Sequence, residues 1–311
     1  MLTSKVRRFD NMDAVETTFF LRQLEYVQAQ TYDVQRPPNM VRNFLPVKND
    51  IPSHVQTYRY RQWDKAGMAK IVASWAHDFP RVDVSAKEFE SHFKNIGDSY
   101  GFNIDEIRAA RAEGTGLEQR KAQAARDVME QKQDELFAMG STIHGLLGLL
   151  NQPNATIYTV PNGASASPLW ANKTAPEILK DLHGIVTSIT SATKNIHPPD
   201  TIILPQRRFD VLVTTIMSST DSRSVLEVFL KMNPYVKNVV PWWKLEGAGS
   251  GGTDRMVAYQ RNPNVLQALV AQEFEQFPPQ EEGLDYVVPC RSKIGGVVVY
   301  YPLAIAYGDG I

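Results

Sequence analysis

Cysteine and net charge are nearly absent from this 311-residue sequence: one cysteine occurs, Cys290, and the formal net charge is -1. A lone cysteine excludes an internal disulfide and cannot anchor a thiolate metal site; such usage fits synthesis in a reducing compartment. Near-zero net charge excludes a long-range positive field that would draw the chain to nucleic acid, so any contact with DNA is expected to be local or weak. No stretch approaches the ~20 consecutive apolar residues of a membrane helix. Lys5, Arg7 and Arg8 surround Phe9 near the start without the apolar core of a signal peptide. The expectation is a soluble, unexported protein, in which the glycosylation-type triplets at Asn154 and Asn172 are chance matches.

Signatures of catalysis and of metal or cofactor binding are also missing. The six histidines, His54, His77, His92, His144, His183 and His197, form no His-Glu-x-x-His helix and no metal-ligand spacing with Cys290. There is no Gly-x-Ser-x-Gly elbow. Gly247, Gly249 and Gly252 satisfy Gly-x-Gly-x-x-Gly, but a dinucleotide site needs a helix after the glycines, and Thr253 to Gln260 reads as strand. The lysine of a phosphate-binding loop is absent too, so this is expected to be a surface loop. Ser191 and Lys194 match Ser-x-x-Lys, a spacing that arises readily at a Ser- and Thr-rich helix end, where a lysine also suits the helix dipole. Glu281 and Glu282 lie between Pro279 and Gly283 and read as a solvated loop. No enzyme activity, cofactor or metal is expected.

Hydrophobic residues at 43% and charged residues at 22% are ordinary globular values, with length for one large domain or two modest ones. Asp13 and Glu16 open a helix carrying Phe20, Leu24 and Val27 on one face, and Pro37 and Pro38 stop it. From Asn39 to Gln56, Pro46 and Pro52 break up small apolar residues, which predicts an extended arm lying on something outside itself. Thr57 to Trp63 alternates as a strand, Glu88 to Phe102 reads as a weaker returning strand, and Ala76 to Ser85 reads as the tip between them. Arms of ~15 residues reach ~50 Å at ~3.3 Å per residue, against a radius of gyration of ~20 Å for a compact chain of this length. Such a hairpin projects. A lone hairpin is marginal in water, so Tyr58, Tyr60, Trp63, Trp75, Phe79, Phe89 and Phe93, with Arg59 and Arg61, are candidates for contact with neighbouring subunits. The alternative is that the hairpin folds back on its own domain. Arg59, Arg61, Lys65 and Lys70 could be read as a nucleic-acid strip, but Asp78, Asp83, Glu88 and Glu90 face them, and ion pairs explain the charges better.

Leu117 to Ala138 predicts a long polar helix with Ala124, Ala125, Val128, Met129, Leu136 and Phe137 as its apolar stripe and Arg126 four before Glu130. Gly140 to Asn151 is a glycine-rich boundary. Thr174 and Glu177 form a capping box with Pro176 in the first turn, and Ile178, Leu182, Ile185, Ile189 and Ile196 follow at helical spacing. Thr201 to Leu204 is a short buried strand. Helices follow around Arg207 to Met217 and Ser222 to Met232, then strands near Val236 to Val240 and Arg255 to Tyr259. The Val-, Tyr- and Gly-rich tail from Leu284 to Tyr307 is expected to return to the first lobe. The class is α+β.

In order, TYRYRQWDKAGMAKIV (Thr57 to Val72), KNIGDSYGFNIDEIRAARAEG (Lys94 to Gly114), LLGLLN (Leu146 to Asn151), AGSGGTDRMVAYQRNP (Ala248 to Pro263) and FPPQEEGLDYVVPC (Phe277 to Cys290) resemble the major capsid proteins of tailed phages and prophages. The resemblance implies the Hong Kong 97 phage capsid fold, shared with encapsulin shells. It places an N-terminal arm at 1–56, an extended β-hairpin loop at 57–95 and a peripheral domain at 96–173 with its spine helix at 117–138. An axial domain follows at 174–263, and 264–311 supplies return strands of the peripheral domain. It further implies hexamers and pentamers closing an icosahedral virion head around double-stranded DNA held non-specifically. Portal, scaffolding and decoration proteins are the implied partners, with synthesis in the host cytoplasm and no membrane contact. Some family members cross-link lysine to asparagine, but that set of residues does not map onto this sequence. The 56 residues before the hairpin are short for a large scaffolding segment, so any scaffold is expected to be a separate protein. The alternative is an encapsulin-like compartment that encloses a protein cargo.

Overall fold

A computed structural model describes residues 37–66, 81–113 and 117–311. In chain order the elements are α1 (Val41–Phe44), β1 (Val47–Lys48), β2 (Thr57–Ala66), β3 (Asp83–His92), β4 (Lys94–Asn103), α2 (Ile104–Glu113), α3 (Leu117–Met139) and β5 (Thr156–Thr159). Then follow α4 (Ala175–Ala192), β6 (Thr201–Leu204), α5 (Gln206–Thr214), α6 (Val225–Met232), β7 (Asn238–Pro241), β8 (Arg255–Tyr259), β9 (Leu266–Gln276), β10 (Gln280–Glu282), β11 (Asp285–Val299) and β12 (Ile305–Asp309). Asn39–Ile311 clusters into one compact unit and Met1–Pro38 into another, of which only Pro37 and Pro38 are among the described residues. The helix expected from Asp13 lies outside them.

Two five-stranded sheets organise the larger unit. In the first, β11 carries β4 along one edge and β10 and β9 along the other, with β1 parallel to β9. In the second, the order is β5-β12-β8-β6-β7. The final strand β12 pairs with β5 and β8, so the expectation that the whole of 264–311 returns to the first lobe is corrected: β9 to β11 do, and the last strand does not.

The second sheet is buried on both faces, which explains the unbroken apolar run of β6. Alternation sends Ile202, Leu204, Met256 and Ala258 to one face, where Ile178, Leu182, Ile185 and Ile189 of α4 and Phe229 of α6 cover them. The opposite face presents Ile203, Val257 and Tyr259 to a core shared with Phe137 of α3, Val270 of β9 and Ile294 and Val297 of β11. One apolar core thus joins the two sheets.

The segment from Asn39 lies on this same core. Val41, Phe44 and Leu45 are buried in it, and each such side chain contributes roughly 1.5–3 kcal/mol of burial. Phe44 meets Trp242 edge to face at 5.3 Å. Its carbonyl accepts from Tyr259 Oη at 2.9 Å and Arg261 Nε at 3.1 Å. Arg42 grips Glu273 through both nitrogens at 3.0 and 2.8 Å. The support that the proline-broken arm requires is therefore the chain's own body.

The long helix α3 has the expected Arg126 to Glu130 bond, at 2.9 Å, but a narrower buried stripe: Ala125, Met129, Leu136 and Phe137 are buried, whereas Ala124 and Val128 face outward. Asp134, buried on the same stripe, accepts the Val41 amide at 2.9 Å and pairs with Lys244. The capping box of α4 forms, with the Thr174 amide and hydroxyl both bonded to Glu177 Oε2 at 2.8 and 2.9 Å. The helix ends at Ala192, because Lys194 and Asn195 adopt left-handed φ of 51° and 61°. Ile196 consequently leaves the helix and is exposed, contrary to its expected place in the apolar stripe. Other boundaries shift by a few residues: the expected helices after Arg207 and Ser222 are α5 and α6, and the strand expected from Val236 is β7.

Near the start of α4, Lys173 Nζ donates to Asp181 Oδ2 at 2.5 Å and Pro161 O at 2.7 Å, and Trp170 Nε1 donates to the same carboxylate at 3.0 Å. Burial pushes the Asp181 carboxyl above its ordinary range, and Lys173 and Trp170 pull it back.

Two stability predictions follow from these buried charges. Asp134→Ala strands the Lys244 ammonium and the Val41 amide, and should lower the unfolding free energy by about 3–5 kcal/mol in urea titration of the subunit. Lys173→Met should cost a similar ~3 kcal/mol and raise the Asp181 carboxyl further. The folded state then binds more protons than the unfolded one, so the variant should lose stability as pH rises from the ordinary carboxylate range through the raised folded value, and recover it on acidification.

Candidate assembly hairpin

β2 and β3 pair antiparallel over ten residues, from Thr57 opposite His92 to Ala66 opposite Asp83, a ladder roughly 33 Å long. The return strand is corrected by the structure. The stretch expected as one strand from Glu88 to Phe102 is two: β3 ends at His92, Phe93 is buried, and β4 belongs to the first sheet. Asp83 to Ser85, expected in the tip, lie in β3. Trp75 and Phe79 lie outside the described residues.

Strand alternation divides the hairpin's side chains into two faces. Tyr58, Tyr60, Phe89 and Ser91 share the inner face. Tyr60 stacks on Phe89 at 5.2 Å and meets Tyr300 edge to face at 4.8 Å, while the Tyr58 and Tyr300 hydroxyls are 3.0 Å apart. Ser91 Oγ donates to Gly295 O at 2.8 Å. Burial pushes the Tyr60 and Tyr300 hydroxyls above the ordinary phenol range. The base of the hairpin is thus seated on the chain's own β11 and the residue that follows it.

The outer face carries Arg59, Arg61, Trp63, Glu88, Glu90 and Val84. Arg61 pairs with Glu88 at 2.6 Å and Arg59 with Glu90 at 3.4 Å. Both pairs are exposed, worth under about 1 kcal/mol each, and they serve the register more than the stability. Beyond them Trp63 is 61% exposed and Val84 48%, an apolar pair on the face away from Tyr300. Phe93 is only 6% exposed, which leaves little of its ring for a neighbour.

Sequence reading missed what holds the hairpin: Tyr300, Gly295 and Gly296. A Cβ at Gly295 would meet the Phe93 ring at 2.8 Å, and Gly296 has φ of 73° with Leu147 O only 2.6 Å from where its Cβ would stand. The signal was the adjacent glycines inside a Val-rich strand.

The chemical motifs resolve into structure. Gly247 N donates to Asp254 Oδ1 at 3.1 Å and Ser250 N to Asp309 Oδ2 at 3.0 Å, so amides of the glycine loop already serve carboxylates. Those carboxylates are held by Arg208 and Arg255 at 2.8 and 2.6 Å. Ser191 and Lys194 are both exposed, with Lys194 beyond the helix end. Glu281 and Glu282 lie on β10, not in a loop. Cys290 is buried, which pushes its thiol up. Among the described residues no group of three acidic, histidine or cysteine side chains could hold a metal ion, and no helix is long and apolar enough to cross a membrane.

A family profile described as "Major capsid protein" matches residues 67–311. The chain belongs to the major capsid protein family. As such it is a structural subunit that associates with copies of itself into the head shell of a virion. Its fold is similar to the capsid of the Myoviridae phage XM1, at 18% identity and a TM-score of 0.80 over 93% of this chain and 98% of that one. It is also similar to a structure of Mycobacterium phage Ogopogo, at 11% identity and a TM-score of 0.61 over 94% and 98% of the two chains. A virus-like particle from Pyrococcus furiosus matches less well, at 16% identity and a TM-score of 0.54 over 86% and 91%. At these identities the likeness is one of fold, the Hong Kong 97 type. No curated protein matches the sequence.

The two faces of the hairpin should separate in mutagenesis. Tyr60→Ala removes a ring packed within the chain and should lower subunit stability by about 1–2 kcal/mol, measured by urea unfolding. Trp63→Ala on the outer face should leave it within about 0.5 kcal/mol.

Proposed function

We propose that this major capsid protein forms hexamers and pentamers that close an icosahedral head around double-stranded DNA, and that it catalyses no reaction. One observation carries the reading beyond the family: the hairpin's outer face presents Trp63 and Val84 with their apolar surface in solvent, although a soluble chain gains by covering such a pair. A neighbouring subunit is the cover proposed. On this reading Trp63 contributes most to the contact, flanked by Arg59 and Arg61 in their pairs with Glu90 and Glu88, with Trp75 and Phe79 as further candidates; Tyr58, Tyr60 and Phe89 set the hairpin's angle from within the chain. The domain plan proposed keeps the arm, extended loop, peripheral domain around α3 and axial domain around α4 of the sequence reading, with β5 and β12 moved to the second sheet.

A net charge of -1 suits a wall that contains DNA without gripping it, since tight phosphate contacts would resist release. Portal and scaffolding or decoration proteins are the further partners proposed, with synthesis and assembly in the host cytoplasm. A compartment enclosing a protein cargo is less well supported, because the sequence match is to the capsid family.

The test is negative-stain microscopy of the expressed protein after size exclusion. Closed particles, or rings of five and six subunits, are expected; a monomer or dimer under all assembly conditions would refute the shell function. Trp63→Ala should leave the melting temperature of the subunit unchanged and reduce particle yield several-fold. Undiminished yield would remove Trp63 from the contact.

A further inference from the structure

At the base of the hairpin, where β3 gives way to β4 beside β11, a cavity of about 360 Å³ opens. Its lining brings together Lys94, Arg291 and Lys293 with His54 and His92, and includes no carboxylate. Lys293 is 5% exposed and donates to Ser53 O at 2.8 Å, a neutral acceptor. Arg291 Nη2 donates to Asn95 Oδ1 at 3.1 Å, also neutral, and its Nε is buried with no acceptor among the described residues. Glu275 stands opposite Arg291 in the β-ladder, but its carboxylate accepts from Gln272. Glu90 comes within 3.9 Å of His92 on the hairpin side. Among the described residues, then, Arg291 and Lys293 share one face of β11 at this cavity without an ion-pair partner, with Lys94 also in the lining, and a buried guanidinium donor left without an acceptor is unfavourable. The site calls for an anion.

The same chain carries an unmatched anionic feature. Glu281 and Glu282 are exposed on β10, next to the tight turn at Gly283, and neither pairs with a cation among the described residues. They cannot serve their own cavity. Glu281 lies opposite Tyr286, five residues along β11 from Arg291, or roughly 17 Å at ~3.3 Å per residue.

We propose that the cavity is an anion seat that receives a carboxylate of the Glu281–Glu282 turn from a second copy of the chain. Donor and acceptor are different patches of one surface, so the contact is heterologous and propagates from subunit to subunit around a ring. The proposal rests on the shell reading and adds a specific polar lock at the foot of the hairpin.

Particles assembled from an equal mixture of isotopically light and heavy wild-type chains, treated with a zero-length carbodiimide, test it directly. Expected are amide links from Lys94 or Lys293 to Glu281 or Glu282 that join light peptides to heavy ones. In parallel, Arg291→Glu and the pair Glu281→Arg with Glu282→Arg should each lower particle yield about ten-fold, with subunit melting unchanged, and their combination should restore yield. Particles that form without this link, or charge reversals that leave yield unaltered, overturn the seat while leaving the shell function standing. A wild-type chain that forms neither rings nor particles counts against both.

Discussion

The first sheet, the hairpin and the cavity are all built onto one strand, β11. It pairs with β4 on one edge and with β10 and β9 on the other, and it ends beside Tyr300, on which the hairpin's inner rings rest. Its register against β9 shifts between Arg291 and Gly296, and such irregularities bend a strand and re-aim its side chains. Only glycine fits at the two positions where the bend passes under Phe93 and against Leu147. The bend therefore fixes three things together: where the hairpin leaves the body, where Arg291 and Lys293 point, and how the first sheet meets the shared core.

The long helix is fixed by a different device. Asp134 ties α3 to the arm through the Val41 amide and to the segment after β7 through Lys244. A buried carboxylate with directional partners specifies one arrangement where apolar packing alone tolerates several, at some cost in desolvation. Because Phe44 and Trp242 pack beside these anchors, arm, helix and second sheet form one body. A lever as long as the β2–β3 ladder transmits a subunit contact only if its mounting does not yield, and β11, whose Ile294 and Val297 lie in this shared core, carries the Gly295 carbonyl on which the hairpin's foot rests.

Much of this architecture is legible in the sequence because it rests on local rules. The capping box at Thr174, the buried run at Thr201 and the i,i+4 pair at Arg126 each declare themselves within a few residues. The boundary between β3 and β4 does not, because both segments are plausible strands and only the burial of Phe93 against Gly295 separates them. The destination of the tail is equally non-local: Ile305–Asp309 is strand by composition, but only its partners β5 and β8 place it in the second sheet. The two faces of the hairpin were within reach. A period of two puts Tyr58 and Tyr60 on one side and Trp63 on the other, so grouping Tyr60 with Trp63 as one contact surface overlooked a signal the sequence contained.

That division of faces bears on how one sequence could serve ring positions of differing curvature. The charges beside Trp63 are already matched within the hairpin, Arg61 with Glu88 and Arg59 with Glu90, so they impose no fixed geometry on a neighbour. What remains for a partner is apolar surface, and burial of apolar surface is non-directional. An indole near the far end of a long ladder can slide and tilt against a neighbour at little cost, whereas an ion pair near the foot, where motion is smallest, demands one geometry. On the proposed assembly, tolerance belongs at the outer half of the hairpin, where Trp63 lies, and specificity at its base, where Arg291 of β11 lines the cavity.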